Sequence, residues 1–172
     1  MKKYNIKRMV IVGLLIAMQI ILSRFLSIST PIVRIGFSFL PIAILGILYG
    51  PLYAGLGSAI GDVIGTVLFG PASIFPGFTL SAFLTGVVYG VLLHNKQKKL
   101  WRVCLAVAII NIFISLLLGT FWLSILTGKG YIALLPTKII QNVAMFPVKV
   151  ITIWVVAYRV LNIESQNKVA LQ

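Results

Sequence analysis

Asp62 is one of only two acidic residues in a chain of 172. It sits inside the apolar run LYAGLGSAIGDVIGTVLF. A carboxylate carried into hydrocarbon is costly, which makes it a functional candidate by default. Beside it Gly57, Gly61 and Gly65 recur at four-residue spacing, baring one helix face so that another helix can approach closely. Ser58, Asp62 and Thr66 form a polar line at the same spacing. Two roles stay open for Asp62. It is a structural anchor, in an ion pair with Lys149 or in a hydrogen bond, or it is a group that meets a bound solute.

There are two further polar stripes. Asn111, Ser115, Gly119 and Trp122 fall on one helical face, and Lys138, Gln141, Asn142, Met145 and Lys149 on another. In lipid such stripes must turn inward, where they serve as glue between helices or as the lining of a cavity. Their polar groups gather toward the outer half, which favours a cavity open outward. The segments SISTPIVRIG and GPASIFPGF carry prolines and aromatics but no acid. Phe37, Phe39, Phe75, Phe78 and Trp122 offer flat apolar faces to an aromatic ligand. The cations Arg24, Arg34, Lys129 and Lys138 on the same side suit an anionic one. A flat ring bearing acidic groups satisfies both.

Composition points to the elements that carry these residues. Hydrophobic residues make up 60% and charged residues 10%, against about 25% charged in soluble domains. Mean hydropathy is +1.09. A soluble globular domain and a disordered chain are both excluded. The net charge of +13 comes from islands between apolar runs, which argues against a nucleic-acid partner and for a bilayer. The fold class expected is all-α integral membrane, a single domain over 1–172 with no internal repeat. Six spans are predicted, at about 7–26, 36–49, 52–69, 78–93, 101–126 and 136–161. The basic N-terminus followed by the first apolar run reads as a retained helix, not a cleaved signal. Pro31, Pro41, Pro51, Pro71, Pro76 and Pro136 mark breaks, with a tight one at Gly50-Pro51, and Pro147 is a candidate kink. Tyr53, Tyr89 and Trp101 are placed at span ends as interfacial aromatics. With the N-terminus inside, Lys2, Lys3, Lys7, Arg8, Lys96, Lys98, Lys99, Arg102, Arg159 and Lys168 all fall on the inner side, ten cations against four outside. That imbalance puts both termini in the cytoplasm of a multi-pass protein.

Other chemistry is sparse. The single cysteine, Cys104, excludes an internal disulfide, and neither it nor the single His94 builds a metal site. No GxxxxGK[ST], HExxH or GxSxG motif occurs, so no nucleotide hydrolysis, catalytic residue, metal or cofactor is expected. A transporter of this kind needs a partner that supplies energy. Gly13 and Ala17 form a small-xxx-small pair on the first span, fit for internal packing or for a partner.

The segments SRFLSISTPIVRIGFSFLP, YGP, GDVIGTVLFGPASIFPGFTLSAFLTGVVYG, TFWL and LLPTKII together resemble the folate-specific substrate-binding component of energy-coupling factor (ECF) vitamin transporters. The resemblance extends over nearly the whole chain. It implies six helices in the plasma membrane, with folate captured near the outer face under a lid formed by the outer loops. It also implies a separate transmembrane coupling protein and two cytoplasmic ATPases, docked through small residues matching Gly13 and Ala17. Phe75, Phe78 and Trp122 would then pack on the pterin or benzoyl rings, and Asp62 would accept from the pterin amino edge. Lys138, with Gln141 beside it, Arg24 or Arg34 would meet the glutamate carboxylates or the pterin carbonyl. Gly119 stands where the family pattern has Asn, and Lys138 where it has Arg. Other vitamins on the same fold, or a membrane protein without a solute, are the alternatives.

Overall fold

A computed structural model describes residues 3–25, 27–29, 34–69, 75–94, 100–128 and 130–169 as six helices and one short hairpin. Lys2, Pro31, Pro71, Lys96, Lys98, Lys99 and Lys129 lie outside the described residues, as do the side chains of Lys3, Lys7, Arg24, Arg34 and residues 157–169. The helices are α1 (Lys3–Arg24), α2 (Phe39–Tyr49), α3 (Pro51–Phe69), α4 (Pro76–Leu93), α5 (Leu100–Thr127) and α6 (Tyr131–Val169). By length and composition, four helices are apolar enough to cross a membrane, and two shorter apolar helices, Arg8–Ser23 and Phe39–Tyr49, accompany them. The architecture is the expected helical one.

Helix ends outrun the apolar runs that suggested them. Helix α1 starts at Lys3 and α6 continues to Val169, because Lys, Arg and Gln are good helix formers and the edge of hydrocarbon is no reason for a helix to stop. Pro136, expected at the start of the last span, lies inside α6, which begins at Tyr131; Pro147 is also internal. At about 1.5 Å per residue, α6 is roughly twice as long as the hydrocarbon layer is thick.

The second span is shorter than its sequence suggested. Gly36 belongs to a hairpin in which Ser27 pairs with Gly36, Ile28 with Ile35 and Ser29 with Arg34. Helix α2 therefore starts at Phe39 and has 11 residues, about half the length a perpendicular span needs. Its sequence FLPIAILGILY is apolar all round, the pattern of a helix buried on every side. Phe39, Pro41, Ile42, Ala43, Leu45, Gly46 and Ile47 are buried. Gly50, with φ of 88°, makes the tight turn into α3, where only glycine is free of strain. Pro51 opens α3 at the helix position that proline suits best.

The closest helix approach uses glycines other than the predicted stripe. A Cβ on Gly86 would collide with the Ala54 carbonyl, and one on Gly90 with Pro51. These two α4 glycines let α3 and α4 meet backbone to backbone. Gly57 and Gly61 face α1 and α2 instead, against Leu45 and Gln19. On the Gly50 side of the bundle His94 sits over Gly50, its Nδ1 3.0 Å from the Ile47 carbonyl oxygen. Cys104 is half-buried and free.

Candidate ligand-binding site

The glycine face of α3 receives Gln19 of α1. Gln19 is buried, and its Nε2 donates to the Ser58 carbonyl at 3.1 Å. The Ser58 hydroxyl lies 2.7 Å from the Ala82 carbonyl and 2.9 Å from the Gly55 carbonyl, so its one proton serves the α3–α4 contact. Of the predicted polar line, Ser58 is thus consumed by packing. One turn on, Asp62 lies beyond that contact. Thr79 Oγ1 donates to Asp62 Oδ2 at 3.1 Å.

Asp62 lines a cavity of about 250 Å³ enclosed by α1 to α6. Gln19, Ser23, Ser38, Thr85, Tyr89, Ser115 and Lys149 supply its other polar side chains; Phe39, Ile42, Ile110 and Ile114 supply apolar ones. A second lobe of about 160 Å³ is lined by Gly36 of the hairpin and by Gln141, Asn142, Met145 and Lys149 of α6. Ser38, Phe39, Ser115 and Lys149 border both lobes. Together the lobes reach the lower end of the size range of small-molecule sites, about 300–1,000 Å³.

Lys149 and Asp62 share the first lobe but form no ion pair. Lys149 Nζ donates instead to Asn111 Oδ1 at 2.7 Å. Asn111 is buried, and its Nδ2 donates to the Asn142 carbonyl at 3.3 Å. Of the partners left open for Asp62, the ion pair with Lys149 is not formed; Asp62 bonds to Thr79 and Lys149 to Asn111. Among the described residues, other buried polar atoms have no partner at all, including Gln19 Oε1, the Tyr89 hydroxyl and Asn142 Nδ2. These three residues line the lobes. Each such atom costs about 1–3 kcal/mol unless something bonds to it.

Tyr89 is a correction to the sequence reading. It is fully buried and lines the first lobe, because Gly86 and Gly90 on either side of it draw α4 into the bundle. Tyr53 and Trp101, by contrast, are exposed, as interfacial aromatics are.

The stripe on α5 is split by a change of helix type. Residues Ile110–Leu118 are π-helical, and the Gly119 N–H bonds to the Ile114 carbonyl five residues back. The wider turn rotates the C-terminal part of α5 relative to ordinary α spacing. Ser115 stays on the lobes, while Trp122 turns to the start of α4. There Phe75 and Trp122 have ring centroids 5.5 Å apart, Phe75 and Phe78 5.9 Å, and Phe121 and Trp122 5.1 Å. Gly77 makes room for this cluster, since a Cβ there would collide with the Trp122 indole. None of these aromatics borders the two lobes.

The predicted site residues thus fall into groups. Asp62 and Gln141 line the lobes; Phe75, Phe78 and Trp122 form a cluster of their own; half-buried Lys138 borders neither lobe. Arg34 stands in the hairpin opposite Ser29, and Arg24 ends α1. Phe39, named among the aromatics, borders both lobes. Gln19 and Tyr89 were missed as lining residues. Gln19 carried a signal, as a lone amide in the apolar run of the first span. Gly13 and Ala17 lie on the far side of α1, where a Cβ on Gly13 would meet nothing and Met9, Val10 and Leu14 are exposed.

Known proteins are similar to this chain. A protein of Clostridium novyi (strain NT) named Folate transporter FolT is 45% identical over 170 residues, covering 99% of this chain and 98% of that one. A Folate transporter FolT of Leuconostoc mesenteroides is 29% identical over 154 residues, covering 86% and 83%. A solved structure described as FolT bound with folic acid superposes with a TM-score of 0.85 at 36% identity, covering 89% of this chain and 93% of that one. Residues 7–167 match the family described as ECF transporter, substrate-specific component. The chain belongs to that family of transporter components, and so is a multi-pass membrane protein and not an enzyme.

Proposed function

We propose that this chain captures folate at the outer face of the plasma membrane and releases it inside, as the binding subunit of an ECF-type uptake transporter. The observation that carries the reading is the likeness to the folic-acid-bound structure, TM-score 0.85 at 36% identity. The two joined lobes give that likeness a place to act. Asp62 accepts from the pterin amino edge, and Phe39 and Met145 flank the ring. The cluster of Phe75, Phe78 and Trp122 packs over the benzoyl end. Arg24, Arg34 and Lys138, with Gln141, meet the glutamate carboxylates near the hairpin.

The energy comes from outside the chain. A transmembrane coupling protein and two cytoplasmic ATPases are the proposed partners, docked along the open face of Gly13 and Ala17. Both termini face the cytoplasm, as the ten-to-four distribution of cations supports. Transport is then a shift of population between outward and inward orientations.

The test is binding by the purified chain in detergent. Folic acid is titrated by calorimetry against riboflavin, thiamin and pantothenate. Tight, selective binding of folic acid without any partner is the expected result. Tight binding of another vitamin would keep the mechanism and change the ligand, and binding of none by folded protein would defeat the reading.

A further inference from the structure

Lys149 and Tyr89 border the first lobe, and neither takes part in the folate contacts proposed above. Tyr89 is fully buried and Lys149 half-buried. Lys149 is 18 residues into α6 and Tyr89 is 13 residues into α4, about 27 and 20 Å along the helix axes at 1.5 Å per residue. An ammonium has three N–H donors. Among the described residues one of them is taken, by Asn111 Oδ1 at 2.7 Å. Asn111 is itself fixed from the other side by its 3.3 Å bond to the Asn142 carbonyl, so the ammonium is held in place with donors to spare. The Tyr89 hydroxyl is buried without a partner among the described residues. Asp62, on the same lobe, has a single partner among the described residues, Thr79, and a carboxylate accepts several bonds.

The lobe therefore presents an acceptor at Asp62 and donors at Lys149 and Tyr89. Carboxylates of a ligand are expensive to desolvate and belong near the mouth, whereas a neutral ring edge can go deepest. A ring edge with N–H donors on one side and a carbonyl oxygen on the other matches this arrangement.

We propose that Lys149, positioned by Asn111 and assisted by the Tyr89 hydroxyl, recognises the ring carbonyl oxygen of the bound heteroaromatic ligand and so selects oxo- over amino-substituted rings. The assignment rests on the folate reading, and it moves the contact to the pterin carbonyl from Lys138 or an arginine to Lys149.

The experiment compares three ligands on the full chain: folic acid, its 4-amino analogue aminopterin, and pteroic acid, which lacks the glutamate. Wild type should prefer folic acid to aminopterin by about tenfold or more, the worth of one charge-assisted hydrogen bond. In Lys149→Met the preference should collapse to within about threefold, with the ratio of folic to pteroic acid unchanged. Asn111→Leu should lower the preference in the same direction. Tyr89→Phe should give a smaller loss. Size-exclusion chromatography checks folding, and Lys149→Leu, which likewise carries no donor, provides the measurement if the methionine variant does not fold. Retention of the oxo preference by both Lys149 variants overturns the proposal. So does a collapse of the folic-to-pteroic ratio instead, which would place Lys149 at the carboxylates. A wild type that binds folic acid without oxo preference overturns this assignment alone; a wild type that binds none of the three overturns the folate reading with it.

Discussion

Thr79 donates its hydroxyl to Asp62 across the α3–α4 contact at 3.1 Å. That bond holds an intramembrane carboxylate at the wall of a cavity and, among the described residues, leaves its remaining lone pairs unused. Asp62→Asn keeps the size of the side chain and removes its charge. Folic acid affinity should fall by about 1.5–3 kcal/mol, roughly ten- to hundredfold, in calorimetry on purified protein. Thr79→Val should cost less, since it frees the carboxylate without removing it. Unchanged affinity in Asp62→Asn would reduce Asp62 to an anchor for α4.

Gly86 and Ala54 touch backbone to backbone, so side chains at this crossing have nowhere to go. Gly86→Val or Gly90→Leu should destabilise the bundle by about 1–3 kcal/mol or more through overpacking, read as a lower unfolding temperature in detergent. Gly13→Leu is the control. Its Cβ meets open space, so its effect should stay within about 0.5 kcal/mol. Equal losses at the three positions would refute the packing argument.

The open face of α1 should serve coupling and not capture. Bulky residues at Gly13 and Ala17 together should leave folic acid affinity of the isolated chain unchanged while folate uptake by cells carrying the proposed energising partners falls. Normal uptake by this variant would remove the docking role from that face.

Gly77 and Trp122 give a spectroscopic test. Gly77→Ala should displace the indole, because a Cβ there overlaps it. The shift is read as the Trp122 component of fluorescence, isolated by difference against Trp122→Phe, since Trp101 and Trp154 also emit. An unaltered Trp122 component would mean that the indole does not pack over Gly77.

Lys138 borders neither lobe. Lys138→Ala should weaken folic acid more than pteroic acid, by a factor of about three to ten typical of a partly solvated charge. Equal weakening of both ligands would exclude a contact with the glutamate end.

Composition, charge and hydrophobic run length determined the class, the number of helices and the tight turn at Gly50-Pro51, because hydrocarbon accepts only helices whose backbone bonds are satisfied internally. The intramembrane position of Asp62 was legible for the same reason, and so was the α6 stripe, of which Gln141, Asn142, Met145 and Lys149 line the lobes and Lys138 does not. Tertiary structure decided what the stripes do. Whether Lys149 meets Asp62 or Asn111 depends on how α3, α5 and α6 are rotated against one another, and no spacing within a single helix contains that angle. The π-helical turn at Ile110–Leu118 shifted Trp122 away from Ser115, an offset invisible to a reading at α-helical period. Tyr89 looked interfacial because an amphipathic ring suits a membrane edge. Gly86 and Gly90 buried it instead, by letting α4 approach α3 more closely than side chains would allow.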